Sequence, residues 1–288
     1  MDTSPEWIAV DWTPVRRRAW AMRGDTVLDT VTQVGPVEAA RPAEALLGLI
    51  SVFLSDAPVD VMTCGTLGPV GASVPCEPLS DGAWSVDIGD VRVRLRGVSG
   101  LRQKQPVDMM QGDETRVAGF LALNTDWDGV ICLPGEHSRW IHVSAGEIVS
   151  FQTFMTGVVA ATLLDRAVPD ARAARVDGVT FSEAVGDAIA KPERVMARVH
   201  SIHAEAVLDG LQPEIARARL LGGLIGSELA AARPFWLGQQ LAVVGEGELA
   251  QLYVDALGAQ GAPAALADEP RVTRAGLATA WRTLAAAP

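Results

Sequence analysis

Two acidic side chains stand at the start of a strongly apolar stretch and are the first candidates for chemistry. Residues 108–115 read Asp-Met-Met-Gln-Gly-Asp-Glu-Thr, and an apolar run follows over residues 117–121. This order predicts a helix with Asp113 and Glu114 in its first turn, where the helix dipole favours negative charge. A carboxylate at that position can take a proton from a substrate hydroxyl. The alternative is that both acids only stabilise the helix start.

A proline-glycine turn between two predicted strands is the second candidate. Residues 129–133 are apolar, residues 134–137 read Pro-Gly-Glu-His, and a further strand is predicted over residues 139–143. Backbone N–H groups at such a turn can face an anion, although a Pro-Gly turn is also an ordinary connection between strands. A base and an anion-binding turn together indicate phosphoryl chemistry.

The elements that must position these residues follow the same order twice. Three antiparallel strands and then a helix are predicted first at residues 7–12, 18–22, 26–31 and 42–54, and again at residues 129–133, 139–143, 147–151 and 156–167. This repeat indicates a duplicated domain. Two such halves would leave a cleft lined by strand turns and helix N-termini, which suits a polyphosphate.

The remaining chain is predicted to be mainly helical. Helices are expected near residues 181–190, 192–208, 213–233 and 272–286, and a strand at 241–244 is followed by a Gly-Glu-Gly turn and a helix to residue 257. Gly245 and Gly247 in that turn would permit close backbone approach to a ligand.

Composition excludes several function classes. The 288 residues are 49% hydrophobic, enough for two cores, and the net charge of -11 argues against a nucleic-acid partner. No apolar run approaches a membrane span, and the first residues are acidic where a signal peptide is basic. The three cysteines fit no zinc motif and are expected to be reduced. We therefore expect a cytoplasmic protein without a membrane partner; homodimer formation stays open.

Three segments of the chain combine into a family signature. Residues 110–115 fit Met-x-Gly-(Asp/Glu)-Glu-Thr, residues 134–140 fit Pro-Gly-x-His-(Ser/Cys)-(Lys/Arg)-Trp, and residues 151–157 read Phe-Gln-Thr-Phe-Met-Thr-Gly. Together they resemble the 2-dehydro-3-deoxygalactonokinase family of sugar-acid kinases. The similarity continues through residues 221–228 and 243–249, so it covers nearly the whole chain.

The resemblance implies a fold and a reaction. The fold is the α/β actin, Hsp70 and hexokinase type, a duplicated ribonuclease H-like (actin-like ATPase) two-domain clamshell with central mixed sheets. We expect an N-terminal domain over residues 1–112 and a C-terminal domain over residues 113–288 with a helical insertion. The implied activity is ATP-dependent phosphorylation of the terminal hydroxyl of 2-dehydro-3-deoxy-D-galactonate or a related sugar acid, in galactonate catabolism. The cofactors would be ATP and Mg²⁺.

The resemblance also assigns roles to individual residues. Asp113 would be the general base, and Asp11 would be a catalytic residue that positions the magnesium ion. The residues expected to bind the sugar acid are Glu114, Gly65, Gly68 and His137. The residues expected to bind the nucleotide are Arg16, Arg18, Gly135, Glu136, Thr156, Gly157, Gly245 and Gly247.

The first hairpin departs from the family pattern, which is Asp-Trp-Gly-(Thr/Ser)-(Ser/Thr)-Asn-Leu-Arg-Ala-Trp. Residues 11–20 here read Asp-Trp-Thr-Pro-Val-Arg-Arg-Arg-Ala-Trp. Thr13 replaces the glycine, Pro14 has no N–H to donate, and Arg16 stands for the asparagine. Arg16 and Arg17 would bind phosphate by charge, or they are solvated turn residues.

Two further departures affect the implied nucleotide contacts. Glu136 replaces a threonine and puts negative charge beside a triphosphate, and Val158 replaces a glutamate. The alternative to a kinase is therefore a catalytically impaired homologue that acts as a sugar-acid or nucleotide-binding regulatory protein.

Overall fold

The computed structural model describes residues 4–35 and 41–284. In this part of the chain the strands are β1 (Trp7–Trp12), β2 (Arg16–Arg23), β3 (Thr26–Val34), β4 (Val59–Gly65), β5 (Val70–Ser73), β6 (Ala83–Val86), β7 (Val93–Val98), β8 (Gly100–Gln103), β9 (Asp108–Met110), β10 (Gly129–Leu133), β11 (Ser138–Ser144), β12 (Glu147–Phe154), β13 (Leu241–Gly245) and β14 (Ala264–Asp268). The helices are α1 (Pro42–Ile50), α2 (Asp113–Leu123), α3 (Thr156–Arg166), α4 (Gly178–Ala190), α5 (Val195–Leu208), α6 (Pro213–Ala231), α7 (Arg233–Trp236), α8 (Gly247–Ala259) and α9 (Glu269–Leu284).

The chain divides into two compact units. Unit 1 comprises the described residues up to Trp127, the segment Ser144–Ser150 and the described residues from Glu269 onward. Unit 2 comprises Asp128–Val143 and Phe151–Asp268. The division differs from the predicted domain boundary after residue 112, because α2 packs against α9 within unit 1. That boundary stays a prediction.

Unit 1 is built on a six-stranded mixed sheet in the order β3-β2-β1-β4-β7-β6. β1 lies inside the sheet, antiparallel to β2 and parallel to β4, and all six of its residues are buried. Alternate residues of a strand point to opposite faces. Ile8 and Val10 accordingly pack in a core with Leu46 of α1, whereas Trp7 packs in another core with Leu277 of α9.

A five-stranded mixed sheet in the order β12-β11-β10-β13-β14 belongs mainly to unit 2, whereas residues 147–150 of β12 are assigned to unit 1. β10 is antiparallel to β11 and parallel to β13, which is also parallel to β14. The largest hydrophobic core of unit 2 joins this sheet to helices α3 to α8. α4 and α6 approach closely at Gly222 and Gly226, where an added Cβ would lie 2.7 Å and 2.6 Å from the carbonyl oxygens of Phe181 and Val185.

The predicted fold class is confirmed, since each unit carries a mixed sheet and the order of three strands and a helix occurs twice. β7, β8, β9 and β14 were not predicted. The alternation of apolar residues and arginines in β7, whose sequence is VRLRGV, is typical of a strand and was overlooked. β14 reads AALAD, and alanine favours helices. Among the described residues no helix is both long enough and apolar enough to cross a membrane.

Candidate active site

The fully buried strand β1 carries a carboxylate, Asp11, into unit 1. In the sheet Asp11 pairs with Arg18 of β2 on one side and with Cys64 of β4 on the other. Only 1% of Asp11 is exposed. The Cys64 thiol donates to Asp11 Oδ1 at 3.7 Å, a weak contact. Because a buried carboxylate is costly unless it is paired, Asp11 requires a stronger partner.

Arg116 of α2 is that partner. Its Nη2 donates to both Oδ1 and Oδ2 of Asp11 at 3.0 Å. Its Nε donates to Glu269 Oε1 at 2.9 Å, and its Nη1 donates to Asp113 Oδ1 at 3.2 Å. Burial opposes the charge of this guanidinium, but the carboxylates of Asp11, Glu269 and Asp113 raise its pKa well above the usual value. One buried cation therefore joins three carboxylates.

Two arginines of the first hairpin complete the charge balance. Arg16 Nη2 donates to Glu269 Oε2 at 2.9 Å and lies 3.7 Å from Asp11 Oδ2, and Arg18 Nη1 lies 3.9 Å from Glu269 Oε2. Burial acts to raise the pKa of Glu269, but Arg116 and Arg16 lower it below its usual value. Burial raises the pKa of Asp11 against the opposing effect of Arg116. We call this set the ionic cluster; it consists of Asp11, Arg16, Arg18, Asp113, Arg116 and Glu269.

The close crossing of α2 and α9 brings the centre of the ionic cluster together. A Cβ added to Gly119 would lie 1.9 Å from the carbonyl oxygen of Val272, and one added to Gly276 would lie 1.9 Å from the carbonyl oxygen of Thr115. Only glycine permits backbones to approach this closely. The two glycines thus let α2 place Arg116 against Glu269, the first residue of α9.

The start of α2 separates the two predicted acids into different environments. Glu114 is fully buried, and both of its oxygens accept the Gly112 N–H at 2.8 Å. Its burial raises its pKa to about 7. The Asp113 side chain is 13% exposed and is bound by Arg116. Glu114 therefore fixes the helix start in this structure, and its contact with a substrate stays a prediction.

The turn between β1 and β2 is closed on itself. The Thr13 N–H and the Thr13 hydroxyl both donate to the Arg16 carbonyl oxygen, at 2.9 Å and 2.8 Å. The Arg16 N–H donates back to Thr13 Oγ1 at 3.0 Å. Pro14 has no N–H. The Thr13 hydroxyl and the N–H groups of Thr13 and Arg16, which a phosphate loop would direct to a ligand, are therefore used within the turn.

Two glycines expected at the sugar acid have packing reasons for their identity. A Cβ on Gly65 would lie 1.8 Å from the Trp12 carbonyl oxygen, and one on Gly68 would lie 2.2 Å from Trp84 Nε1. The Gly68 carbonyl also accepts from Gln111 Nε2 at 2.7 Å. Their contact with a substrate stays a prediction.

In unit 2, the turn over residues 134–137 packs on the start of α3. A Cβ on Gly157 would lie 2.1 Å from the Gly135 carbonyl oxygen, and the Val158 N–H donates to the Glu136 carbonyl oxygen at 3.0 Å. Glu136 itself and His137 are exposed. The start of α3, which Thr156 begins, therefore lies directly beside the turn.

The end of β13 adjoins the same turn. A Cβ on Gly245 would lie 3.7 Å from Pro134 Cδ, and Gly247 begins α8 with a φ of 71°. β10 and β13 are parallel neighbours, so their carboxyl ends meet at one edge of the sheet. This edge, with two helix N-termini beside it, has the character of an anion site. The role of these residues in nucleotide binding stays a prediction.

The predicted site residues thus fall into two groups. Unit 1 contains Asp11, Arg16, Arg18, Gly65, Gly68, Asp113 and Glu114, and unit 2 contains Gly135, Glu136, His137, Thr156, Gly157, Gly245 and Gly247. Sequence reasoning missed Arg116 and Glu269, although they complete the ionic cluster. The available signal was an arginine next to the apolar run of α2, because arginine is seldom buried unless it is paired.

Unit 2 also buries a carboxylate, and sequence reasoning assigned it no role. Glu228 of α6 is 3% exposed. Its Oε2 accepts from the Ser138 hydroxyl at 2.7 Å and from the Tyr253 hydroxyl at 2.8 Å, and its Oε1 accepts from Trp140 Nε1 at 2.8 Å. These three donors are all neutral. They link α6 to β11 and α8 in the core of unit 2.

Comparison with known proteins gives a consistent result. A family model described as 2-keto-3-deoxy-galactonokinase matches residues 11–280. The chain is 28% identical to a probable 2-dehydro-3-deoxygalactonokinase of Rhizobium meliloti (strain 1021), over 99% of each protein. It is also 28% identical to the 2-dehydro-3-deoxygalactonokinase of Escherichia coli (strain K12), over 80% of this chain and 81% of that protein. A crystal structure from Sinorhizobium meliloti, named for the same activity, matches with a TM-score of 0.86 and 28% identity over 98% of each chain.

Proposed function

Because the chain belongs to the 2-keto-3-deoxy-galactonokinase family of carbohydrate kinases, we propose that it transfers a phosphoryl group from ATP to a sugar acid. The acceptor would be the terminal hydroxyl of 2-dehydro-3-deoxy-D-galactonate or a closely related sugar acid, as the names of its relatives suggest. We place this reaction in galactonate catabolism in the cytoplasm. Homodimer formation stays a prediction.

The observation that supports this proposal most is the placement of Asp113. It begins α2, its side chain is 13% exposed, and Arg116 Nη1 fixes Oδ1 at 3.2 Å. The second carboxylate oxygen would take the proton of the acceptor hydroxyl as its oxygen attacks the terminal phosphorus of ATP. The bond between that phosphorus and the bridging oxygen breaks, and ADP leaves.

The cofactors of the proposal are ATP and magnesium. We assign contacts with the nucleotide phosphates to the turn over residues 134–137 and to the N-termini of α3 and α8, where backbone N–H groups favour anions. Magnesium would accompany the nucleotide as the counter-ion of its phosphates. No step of the proposal uses a metal ion held by Asp11, because Arg116 already donates to both oxygens of that carboxylate.

Two observations favour a second candidate, a homologue that binds a sugar acid or a nucleotide without turnover. The Thr13–Arg16 turn uses its own polar groups. Arg116 binds Asp113 as well as Asp11, so the Asp113 carboxylate is already engaged in an ion pair. Such a protein would serve as a sensor or as a regulatory partner of another protein.

The test is a phosphoryl-transfer assay with ATP and 2-dehydro-3-deoxy-D-galactonate, together with calorimetric titration of each ligand. A kinase gives sugar-acid phosphate, and Asp113→Asn lowers kcat by about 100-fold or more because the base is lost. The matched control is Asp126→Asn, since Asp126 is exposed and has a φ of 58°, which asparagine also adopts. Binding of the sugar acid without turnover, unchanged in Asp113→Asn, would exclude the kinase and support the second candidate.

A further inference from the structure

The surroundings of Asp11 do not fit the metal ion that the family resemblance assigns to it. Magnesium takes six oxygen ligands at about 2.0–2.1 Å in octahedral geometry. Both Asp11 oxygens instead accept from Arg116 Nη2, and a second guanidinium, that of Arg16, lies 3.7 Å from Oδ2. Across residues 4–35 and 41–284, no group of three or more His, Cys, Asp or Glu side chains could hold a metal ion.

We propose that the Arg116 guanidinium is a built-in cation that replaces a divalent metal ion at Asp11. The positive charge that a metal would bring to this carboxylate is supplied by the chain itself. Asp11 then serves to position Arg116 rather than to bind metal. The inference concerns the same part of the molecule as the proposed kinase reaction, but it can be tested without that reaction.

Arg116 is held too firmly to be displaced by an entering ion. Its guanidinium donates to Asp11, Asp113 and Glu269 together, and its side chain is only 8% exposed. The glycine crossing of α2 and α9 fixes the backbone on both sides of the contact. A divalent ion that reached Asp11 would have to break these hydrogen bonds. Its charge of +2 would then lie beside the positive charge of the Arg116 guanidinium.

The loop next to Asp11 supports the inference independently. In the 13–16 turn, the Thr13 hydroxyl and the N–H groups of Thr13 and Arg16 are bound within the turn itself. They are therefore engaged before any nucleotide or metal ion arrives. The Arg16 side chain that leaves this turn points its charge at Glu269 and Asp11. Asp11 therefore lies near two guanidinium groups, that of Arg116 from α2 and that of Arg16 from the turn.

The first experiment is a Mn²⁺ titration of the wild-type protein, in which electron paramagnetic resonance measures the free ion. Mn²⁺ is a spectroscopic substitute for magnesium that prefers the same oxygen ligands. We expect the wild type to show no saturable site that Asp11→Asn removes. One Mn²⁺ per chain in the wild type, lost in a folded Asp11→Asn variant, would overturn the inference.

Two substitutions of Arg116 make the test sharper. Arg116→Gln removes the charge and the hydrogen bonds that hold Asp11, Asp113 and Glu269 in their present positions. These carboxylates can then turn toward one ion, so the variant should bind Mn²⁺ about tenfold or more tightly than the wild type, because the number of charged ligands sets the affinity of such sites. Arg116→Lys keeps the charge and should still exclude the ion. Folded Arg116→Gln without any gain in Mn²⁺ binding contradicts the inference, as does tight binding by Arg116→Lys. If Arg116→Gln does not fold, the wild type and Arg116→Lys still decide the question.

These results are separate from those of the kinase assay. A protein that binds no Mn²⁺ at Asp11 but phosphorylates the sugar acid supports both proposals. A protein that binds no Mn²⁺ there and does not turn over supports the built-in cation and excludes the kinase. Mn²⁺ binding at Asp11 overturns the built-in cation whatever the assay shows.

Discussion

The two units bury carboxylates in opposite ways. In unit 1, Asp11 is surrounded by guanidinium groups, and Arg116 shares its charge among three carboxylates. In unit 2, Glu228 is held by two hydroxyls and an indole N–H. Neutral donors satisfy the oxygens of a buried carboxylate without adding positive charge. The contrast shows that a buried carboxylate of this chain can be satisfied by neutral donors, whereas Asp11 is supplied with positive charge as well.

Removal of the central cation should have the largest effect on stability. Arg116→Ala leaves Asp11 and Glu269 buried without their main partner, and breaking a buried ion pair in this way costs about 3–5 kcal/mol. Urea unfolding at neutral pH measures the loss in the free energy of unfolding.

The control for this change is Arg94→Ala. Its guanidinium binds Asp60 at 2.7 Å, but the Arg94 side chain is 54% exposed, so its loss should cost no more than about 1 kcal/mol. Equal losses in the two variants would show that the ionic cluster is no more important than a surface pair.

Glu114, another buried carboxylate, tests what neutral donors do within unit 1. Burial raises its pKa from 4.5 to about 7, so the folded chain holds a proton that the unfolded chain releases at lower pH. Its contribution to stability is complete below about pH 4.5 and decreases as the pH rises toward 7, by about 3 kcal/mol in total.

Glu114→Gln mimics the protonated acid and should remove that part of the decline. Unfolding by urea at a series of pH values, with the wild type beside the variant, measures the difference. Parallel stability curves for the two proteins between pH 4.5 and 7 would contradict the raised pKa of Glu114.

The neutral donors around Glu228, which we call the neutral shell, are Ser138, Trp140 and Tyr253. Their hydrogen bonds should be sensitive to the loss of one acceptor oxygen of Glu228. Glu228→Gln keeps the shape of the side chain but turns an NH₂ group toward one of the three donors. One buried donor then loses its partner, at a cost of about 1–3 kcal/mol. The exposed residue Glu183 of α4 offers the matched control, because Glu183→Gln should change stability by less than about 0.5 kcal/mol. A Glu228→Gln variant as stable as this control would show that the three donors find other acceptors at no cost in stability.

Local patterns predicted much of the fold but only part of the ionic cluster. The strands and helices at both copies of the repeat are visible because their apolar residues follow the period of each element. Asp113 was found from its position at a predicted helix start, and Asp11 through the family resemblance. The contact between Arg116 and Glu269 joins residues 153 positions apart, and no periodicity encodes such a pairing. It depends on the crossing of α2 and α9 at Gly119 and Gly276, which only the folded chain shows.

Two of the unpredicted strands were missed for different reasons. β7 lies between β4 and β6 in the sheet, and its alternation of apolar residues and arginines is a local strand pattern that was overlooked. β14 pairs in parallel with β13 along five residues. Tertiary context of this kind overrides the weak preference of alanine for helices.

Crystals grown with Mn²⁺ and a non-hydrolysable ATP analogue would show whether Arg116 takes the place of a metal ion at Asp11. Diffraction data collected at the manganese absorption edge locate every bound ion. We expect no anomalous peak within about 2.6 Å of the Asp11 oxygens, the outer limit for oxygen ligands of such cations, and we expect Arg116 to remain bound to both oxygens. An anomalous peak on Asp11, with Arg116 moved away, would contradict this expectation.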